Sequence, residues 1–211
     1  MIETICNSLT KKIIESVDEV DESKADEINY GLQLIIGEVP KFFITLILAI
    51  LLNIVDLTLL TFLFVLPYRA FSGGFHLHTH LGCIIATNVL YIGTAYLGSV
   101  INISDNIRYG IIAYLFIFCF YIINKYAPAD TENVPVLQKK ERKKRKICSF
   151  IIVTIELVIA IFIPYKVISN VILIGLFLQT CTLTKLAYRI TKNKYGYEIY
   201  GSNWAKSSYY K

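Results

Sequence analysis

Long apolar runs constrain this chain of 211 residues more than any other feature. A run of about 18 or more residues with few charges matches the hydrocarbon core of a bilayer when it forms a helix. Hydrophobic residues make up 55% of the sequence, which is more than soluble domains of this size carry. We therefore predict an all-α fold, a polytopic transmembrane helical bundle that forms one domain over 1–211. The predicted spans, about six, cover residues 28–52, 57–66, 84–101, 107–123, 147–163 and 167–186.

The first 22 residues differ from these spans, because their apolar residues recur at three- and four-residue spacings opposite a charged face. This pattern predicts an amphipathic helix over 1–22. Such a helix lies in the membrane interface or packs on the cytoplasmic face of its own protein, and both interpretations stay open. The first two spans are also open, since residues 42–66 would fit one long span and invert the topology that follows.

Basic residues decide the predicted orientation, because loops rich in lysine and arginine stay in the cytoplasm. They concentrate in a predicted loop over 125–146 and in the C-terminal tail. The chain is predicted to cross the plasma membrane several times, with both termini in the cytoplasm. Residues 67–83 then face the cytoplasm as well. The basic run within the loop is typical of positive-inside topology and of contact with the lipid bilayer. Its members are Lys139, Lys140, Arg142, Lys143, Lys144, Arg145 and Lys146.

The segment 67–83 holds all three histidines of the chain, with a cysteine, an arginine and a glycine pair. On a helix over 76–83, steps of four and seven residues would bring His76, His80 and Cys83 to one side. A neighbouring imidazole favours the thiolate form of a cysteine, which is its nucleophilic form. We therefore predict Cys83 as a nucleophile and His76 as its base. The candidates for stabilising an oxyanion or positioning a substrate are Arg69, Ser72, Gly73 and Gly74.

Other interpretations of these residues stay open. The set of His76, His80 and Cys83 would also supply three zinc ligands with an open fourth position, as in a zinc-dependent membrane hydrolase. The residues would be purely structural if the histidines were solvated at the edge of the membrane and the cysteine were packed within a helix. A further alternative is that the protein is a non-enzymatic peptide exporter. Glu156 lies inside the fifth predicted span, where a carboxylate is costly. It is either functional or a buried, protonated partner of another polar side chain.

The sequence resembles the AgrB family (accessory gene regulator protein B), the membrane endopeptidases of Gram-positive quorum sensing. The resemblance covers almost the whole chain. It is carried by Arg69, the run Ser72-Gly73-Gly74-Phe75-His76, the seven-residue step to Cys83, and the segment Ala127-Pro128-Ala129-Asp130-Thr131-Glu132-Asn133 followed by Pro135. It implies that His76 and Cys83 are the catalytic pair of a cysteine endopeptidase, whereas His78 and His80 are not matched.

The resemblance also implies the substrate, an AgrD-type precursor peptide with a charged C-terminal tail. The Cys83 thiolate would expel this tail and form a thioester, and a side chain of the peptide would then close a thiolactone ring. The basic run is the candidate for holding the acidic tail. No cofactor, metal or nucleic acid is implied. A homodimer is suggested by the resemblance and by the small residues of the third span.

Overall fold

The computed structural model describes residues 2–15, 22–77, 79–132, 135–136 and 138–200. In this part of the chain the predicted all-α fold is confirmed, and the extended segments form isolated bridges only. Contacts divide the chain into two compact units, Met1–Leu51 and Leu52–Lys211; one domain over 1–211 stays a prediction. The helices are α1 Ile2–Glu15, α2 Glu22–Leu51, α3 Val55–Ser72, α4 His80–Val100, α5 Asp105–Tyr126, α6 Lys139–Phe162, α7 Lys166–Thr182, α8 Lys185–Ile190 and α9 Gly196–Tyr200.

The first unit contains α1 and α2, which pack against each other. Cys6 and Thr10 are buried on one face of α1, while Leu9 and Ile13 are exposed on another. A helix is therefore present over Ile2–Glu15, where the N-terminal amphipathic helix is predicted, and residues 16–21 lie outside the described residues.

The break between α2 and α3 corrects the sequence-based alternative of one long span over 42–66. Helix α2 ends at Leu51 and α3 begins at Val55. Asn53 between them has φ 53°, a left-handed conformation that asparagine tolerates better than most residues. Helix α3 also continues to Ser72, well beyond the predicted end at residue 66, so Arg69 and Ser72 lie on its last turns.

Three described helices are long and apolar enough to cross a membrane: Val55–Ser72, Leu81–Val100 and Asp105–Tyr126. Shorter apolar helices occupy Val39–Leu51 and Lys166–Thr182. Large apolar side chains such as Leu63, Val89 and Ile117 remain exposed on the outside of these helices. An exposed apolar exterior is costly in water and suits hydrocarbon, so the second unit is a helical membrane bundle.

Helix α7 lies at the centre of this bundle, where it contacts α3, α4, α5 and α6. Close packing rests on glycine: a Cβ on Gly98 would lie 2.5 Å from Val171, and one on Gly175 would lie 2.7 Å from Val65. Small residues let membrane helices approach closely. Polar side chains near the C-terminal end of α7 are consequently buried among the ends of its neighbours.

The region after α5 differs from the predicted loop over 125–146. The non-helical part ends at Gln138, and residues 139–146 form the first two turns of α6. The charged side chains of the basic run are therefore held on a helix, which fixes their spacing. The chain beyond α7 packs back on the non-helical part: Tyr188 donates a hydrogen bond to the carbonyl of Ala129 at 2.7 Å, and Thr131 and Tyr195 form an antiparallel bridge.

Candidate functional site

The glycine pair ends α3 and joins two distant parts of the chain. Gly73 has φ 78° and Gly74 φ 144°, values that favour glycine. The amide of Gly73 donates to the carbonyl of Arg69 at 2.9 Å, and the amide of Gly74 donates to the carbonyl of Ala129 at 2.9 Å. A Cβ on Gly73 would overlap the backbone of Ala129. Both amide hydrogens are thus donated within the protein, and the glycines permit the turn and the close approach of Ala129.

Arg69 lies one helical turn before Gly73, and hydrogen bonds hold its side chain in place. One guanidinium nitrogen donates to Gln179 Oε1 at 3.1 Å, and another donates to the carbonyl of Phe75 at 3.2 Å. The side-chain amide of Gln179 donates in turn to the carbonyl of Gly73 at 2.8 Å and to Ser72 Oγ at 3.2 Å. Three predicted candidates, Arg69, Ser72 and Gly73, therefore share one buried partner on α7.

Sequence reasoning missed Gln179. It is fully buried, and it is flanked by Leu178 and Thr180 near the C-terminal end of a mostly apolar helix. An amide side chain in a predicted membrane span, such as Gln179 or Asn170, is a usable signal, because such a group needs hydrogen-bond partners inside the protein. The sequence alone does not say which partners it meets.

Cys83 lines a cavity of about 50 Å³ together with Arg69 and Thr182. The remaining lining residues are Phe75, Leu77, Ala86, Thr87, Leu90 and Tyr91. The thiol is free and half-buried. The cavity therefore sets a cysteine and a guanidinium in the same small, largely apolar space. A charge that develops there interacts with the arginine more strongly than it would in water.

The prediction that residues 76–83 form one helix is wrong. Helix α4 begins at His80, with Thr79 as its N-cap accepting from the amide of Gly82 at 3.1 Å. His76 lies in the extended segment before it, and its carbonyl accepts from Asn193 Nδ2 at 2.6 Å. Hydrogen bonds to Ala129, Arg69 and Asn193 occupy the backbone of this segment, so it does not continue as helix.

His76 is exposed, and it is not among the described residues that line the Cys83 cavity. The helical face predicted to join His76, His80 and Cys83 is therefore not present. Within the described residues no group of three His, Cys, Asp or Glu side chains is placed to hold a metal ion. His78 and the side chain of His80 lie outside the described residues.

A second polar centre follows α5. Asp130 is buried, and its Oδ2 accepts from Arg142 at 2.8 Å and from the amide of Val136 at 3.0 Å. Arg142 also donates to the carbonyl of Pro128 at 3.0 Å. This ion pair anchors the start of α6 to the segment 127–131, which in turn meets Gly73. Burial raises the pKa of Tyr188, with Asp130 adding to the effect, so the phenol stays a hydrogen-bond donor to Ala129.

Beside this ion pair lies a cavity of about 440 Å³, larger than the one at Cys83 and separate from it. Four basic side chains line it, three from the predicted basic run and one, Lys125, that sequence reasoning missed. Burial, with a contribution from Arg142, lowers the pKa of Lys146. The lining residues are Lys125, Tyr126, Ala127, Pro128, Arg142, Lys143, Lys146 and Tyr197.

The other residues of the basic run do not line this cavity. Lys139, Lys140 and Lys144 are exposed, and Arg145 pairs with Glu141 at 3.0 Å on the helix surface. The structure thus divides a run that looked uniform in sequence into residues that line the cavity and residues that do not. Glu156 is buried on α6, and its role stays a prediction.

Comparisons with known proteins agree with one another. The family described as Accessory gene regulator B matches residues 3–183. A Listeria innocua protein named "Putative AgrB-like protein" is 28% identical over 198 residues, which is 91% of this chain and 95% of that protein. A Clostridium perfringens protein named "Putative AgrB-like protein 2" is 30% identical over 208 residues, with the same coverage of 91% and 95%. No solved structure matches the chain. The chain belongs to the AgrB family.

Proposed function

We propose that this chain is a membrane cysteine endopeptidase that removes the C-terminal tail of an AgrD-type precursor peptide and promotes closure of a (thio)lactone ring. Membership of the AgrB family associates the chain with agr quorum sensing and implies such a peptide as its partner. The observation that carries the chemical part is the cavity shared by Cys83 and Arg69. A thiol nucleophile and a fixed cation in one small space are the components that acyl transfer needs.

The first step breaks the peptide bond before the tail. His76 takes the proton of Cys83, and the thiolate attacks the carbonyl carbon at the end of the signal segment. The carbonyl oxygen gains negative charge, which the Arg69 guanidinium stabilises. When the C–N bond breaks, His76 returns the proton to the leaving amine of the tail. The products are a free tail and a thioester between the peptide and Cys83.

The second step transfers the acyl group within the substrate. His76 takes the proton of a thiol of the bound peptide, the resulting thiolate attacks the thioester and forms the ring thioester, and the released Cys83 thiolate takes the proton back from His76, so atoms and charge balance without a cofactor. Exchange of one thioester for another is near thermoneutral. Formation of the first thioester from an amide is uphill, and removal of the released tail draws it forward. The small, largely apolar cavity limits hydrolysis by water.

The larger cavity is the proposed site of the acidic tail. Lys125, Lys143 and Lys146 converge there with Arg142, whose charge is balanced by Asp130. Several ammonium groups around one cavity attract carboxylates. The bridge between Gly73 and Ala129 connects the segment that lines this cavity to the turn before Cys83. The exposed Lys139, Lys140 and Lys144 and the half-exposed Arg145 add to the attraction and to lipid contact.

The proposed location is the plasma membrane, with several spans, both ends and the Cys83 site on the cytoplasmic side, since the basic residues cluster at that end. The apolar exterior of the helices contacts the lipid bilayer, and α1 lies in its interface. A homodimer remains part of this proposal, on the basis of the family and of small residues on the helices.

The test is processing of a precursor peptide by the full chain in liposomes, followed by mass spectrometry. Wild type is expected to release the tail and to form a thioester at Cys83, and Cys83→Ser is expected to lose cleavage by at least about 10³-fold while inserting normally. Cys148→Ser is the matched control. His76→Ala is expected to lose activity strongly and to regain some of it at high pH, where the thiol ionises unaided.

Cleavage that persists in Cys83→Ser would contradict the proposal. Loss of activity with a chelator, and recovery with Zn²⁺, would favour the zinc hydrolase. Transport of uncleaved peptide across the bilayer, without a thioester, would favour the exporter.

A further inference from the structure

The most informative polar group outside the predicted site is Gln179. Its side-chain oxygen has one donor, Arg69, at 3.1 Å, and its side-chain nitrogen has two acceptors, the Gly73 carbonyl at 2.8 Å and Ser72 Oγ at 3.2 Å. Because arginine only donates, the amide has one orientation that satisfies all three bonds. It is fully buried, so water cannot replace a lost partner.

The location of Gln179 explains how a cation is fixed beside Cys83. Arg69 has a long and flexible side chain, and an unconstrained guanidinium would turn toward water. Two carbonyl oxygens hold it: Gln179 Oε1 and the Phe75 carbonyl. Helix α7, which carries Gln179, contacts α3, α4, α5 and α6 and is therefore held from several sides. A neutral amide also holds the guanidinium without cancelling its charge, whereas a carboxylate would cancel it.

We infer that Gln179 is a positioning residue that directs the Arg69 guanidinium into the Cys83 cavity and, through the Gly73 carbonyl, fixes the turn that follows α3. The catalytic consequence of this inference rests on the proposed function, whereas the positioning of the Arg69 guanidinium and of the turn after α3 does not. Gln179 touches no reacting atom in this scheme. It acts on the oxyanion only through Arg69, and on the segment 74–77 only through Gly73.

The test measures the charge at Cys83 without using activity. Full-length protein in liposomes is alkylated with iodoacetate, which is anionic, and separately with iodoacetamide, which is neutral, and Cys83 is followed by peptide mapping. A cation beside the thiolate raises the ratio of the iodoacetate rate to the iodoacetamide rate, by about fivefold for one charge in a solvated site. Changes in thiol exposure or ionisation affect both reagents and largely cancel in the ratio.

Arg69→Met is expected to lower this ratio by about fivefold, and Gln179→Met is expected to lower it by nearly as much although Arg69 is present. Asn170→Leu is the matched control. It removes another buried amide from α7, one that donates to the Ile101 carbonyl at 2.7 Å, about 13 Å along the helix axis. Its ratio is expected to equal that of wild type. Gln179→Asn keeps a buried amide on a side chain that is one methylene shorter. It replaces Gln179→Met in the test if Gln179→Met fails to insert into the membrane.

A ratio in Gln179→Met and Gln179→Asn that equals wild type, while Arg69→Met lowers it, would overturn the inference. A ratio that Arg69→Met leaves unchanged would overturn it as well, because the cation would then not act at Cys83.

The kinetic arm separates this inference from the proposed function. With the precursor peptide, Gln179→Met is expected to lower kcat by about 10²-fold with little change in KM. Combining it with Arg69→Met is expected to add little, because both remove the same interaction. If Cys83→Ser processes the peptide as wild type does, the proposed function fails while the alkylation ratio still decides the role of Gln179. If Cys83→Ser is inactive and the effects of Gln179→Met and Arg69→Met are additive, only the inference fails.

Discussion

The two polar centres of the second unit hold an arginine in opposite ways. Arg69 is held by neutral oxygens, from Gln179 and Phe75, and so keeps its full charge beside Cys83. Arg142 is paired at 2.8 Å with the buried carboxylate of Asp130, which balances its charge. In the proposed mechanism the first arrangement makes a cation available for chemistry. The second joins the start of α6 to the segment 127–131 and leaves the lysines to supply the charge of the larger cavity.

The difference teaches that the basic residues of this chain are not interchangeable. Arg142 belongs to the framework, whereas Lys143 and Lys146 line a cavity and Lys144 is solvated. Substitutions in the two centres test this division.

Asp130→Ala is expected to lower the free energy of unfolding by about 3–5 kcal/mol, because it leaves Arg142 largely buried without its carboxylate. Its matched control is Glu141→Ala, which breaks a half-exposed pair with Arg145 on the same helix and is expected to cost about 0.5 kcal/mol or less. Denaturant unfolding in detergent micelles provides the measurement. Similar losses in the two variants would contradict a framework role for the buried pair.

Gly73→Ala is expected to destabilise the fold by about 1–3 kcal/mol, since φ 78° is strained for alanine and the methyl group meets the Ala129 backbone. Gly110 on α5 has open space where its Cβ would be, so Gly110→Ala is expected to be neutral or stabilising by up to about 1 kcal/mol. The same unfolding assay compares them. A neutral Gly73→Ala would show that the contact between the turn and Ala129 is not tight.

Lys143→Glu is expected to raise KM for the precursor peptide by about tenfold, because it puts a carboxylate into the proposed tail cavity. Lys144→Glu changes the same charge on the neighbouring residue, which does not line the cavity, and is expected to change KM by less than about threefold, with most of the effect lost in high salt. Steady-state processing in liposomes measures both. Equal effects would place the tail on the outer face of α6 and not in the cavity.

Lys146 is expected to make the free energy of unfolding depend slightly on pH. Its pKa is lowered from the ordinary 10.5 by burial, so in the window below 10.5 the unfolded chain binds more protons than the folded one. The free energy of unfolding therefore rises with pH through that window. Lys146→Met is expected to flatten this slope when unfolding is measured at several pH values. A slope that Lys146→Met does not change would mean that another group is responsible.

Several features were predictable from the sequence for physical reasons. Helices α3, α4 and α5 follow from long apolar runs, because bilayer thickness dictates the length of a spanning helix. Arg69, the glycine pair and Cys83 were identifiable as candidates by residue type, and the structure brings Arg69 and Cys83 to one cavity. The helix predicted over 76–83 was wrong, because periodicity alone does not show that distant carbonyls and amides occupy the backbone of residues 73–77.

The amino-acid sequence by itself determined the class of the protein, the order of its membrane helices and the segment where its reactive groups gather. These follow from local properties: apolar length, charge distribution and residue chemistry. Only the tertiary structure decided which groups meet. Gln179 lies more than a hundred positions from Arg69 and Ser72, yet it bonds to both, and Lys125 joins lysines from the other side of a loop. Such pairings depend on how helices pack, because contacts between distant residues arise from the shape of the whole bundle.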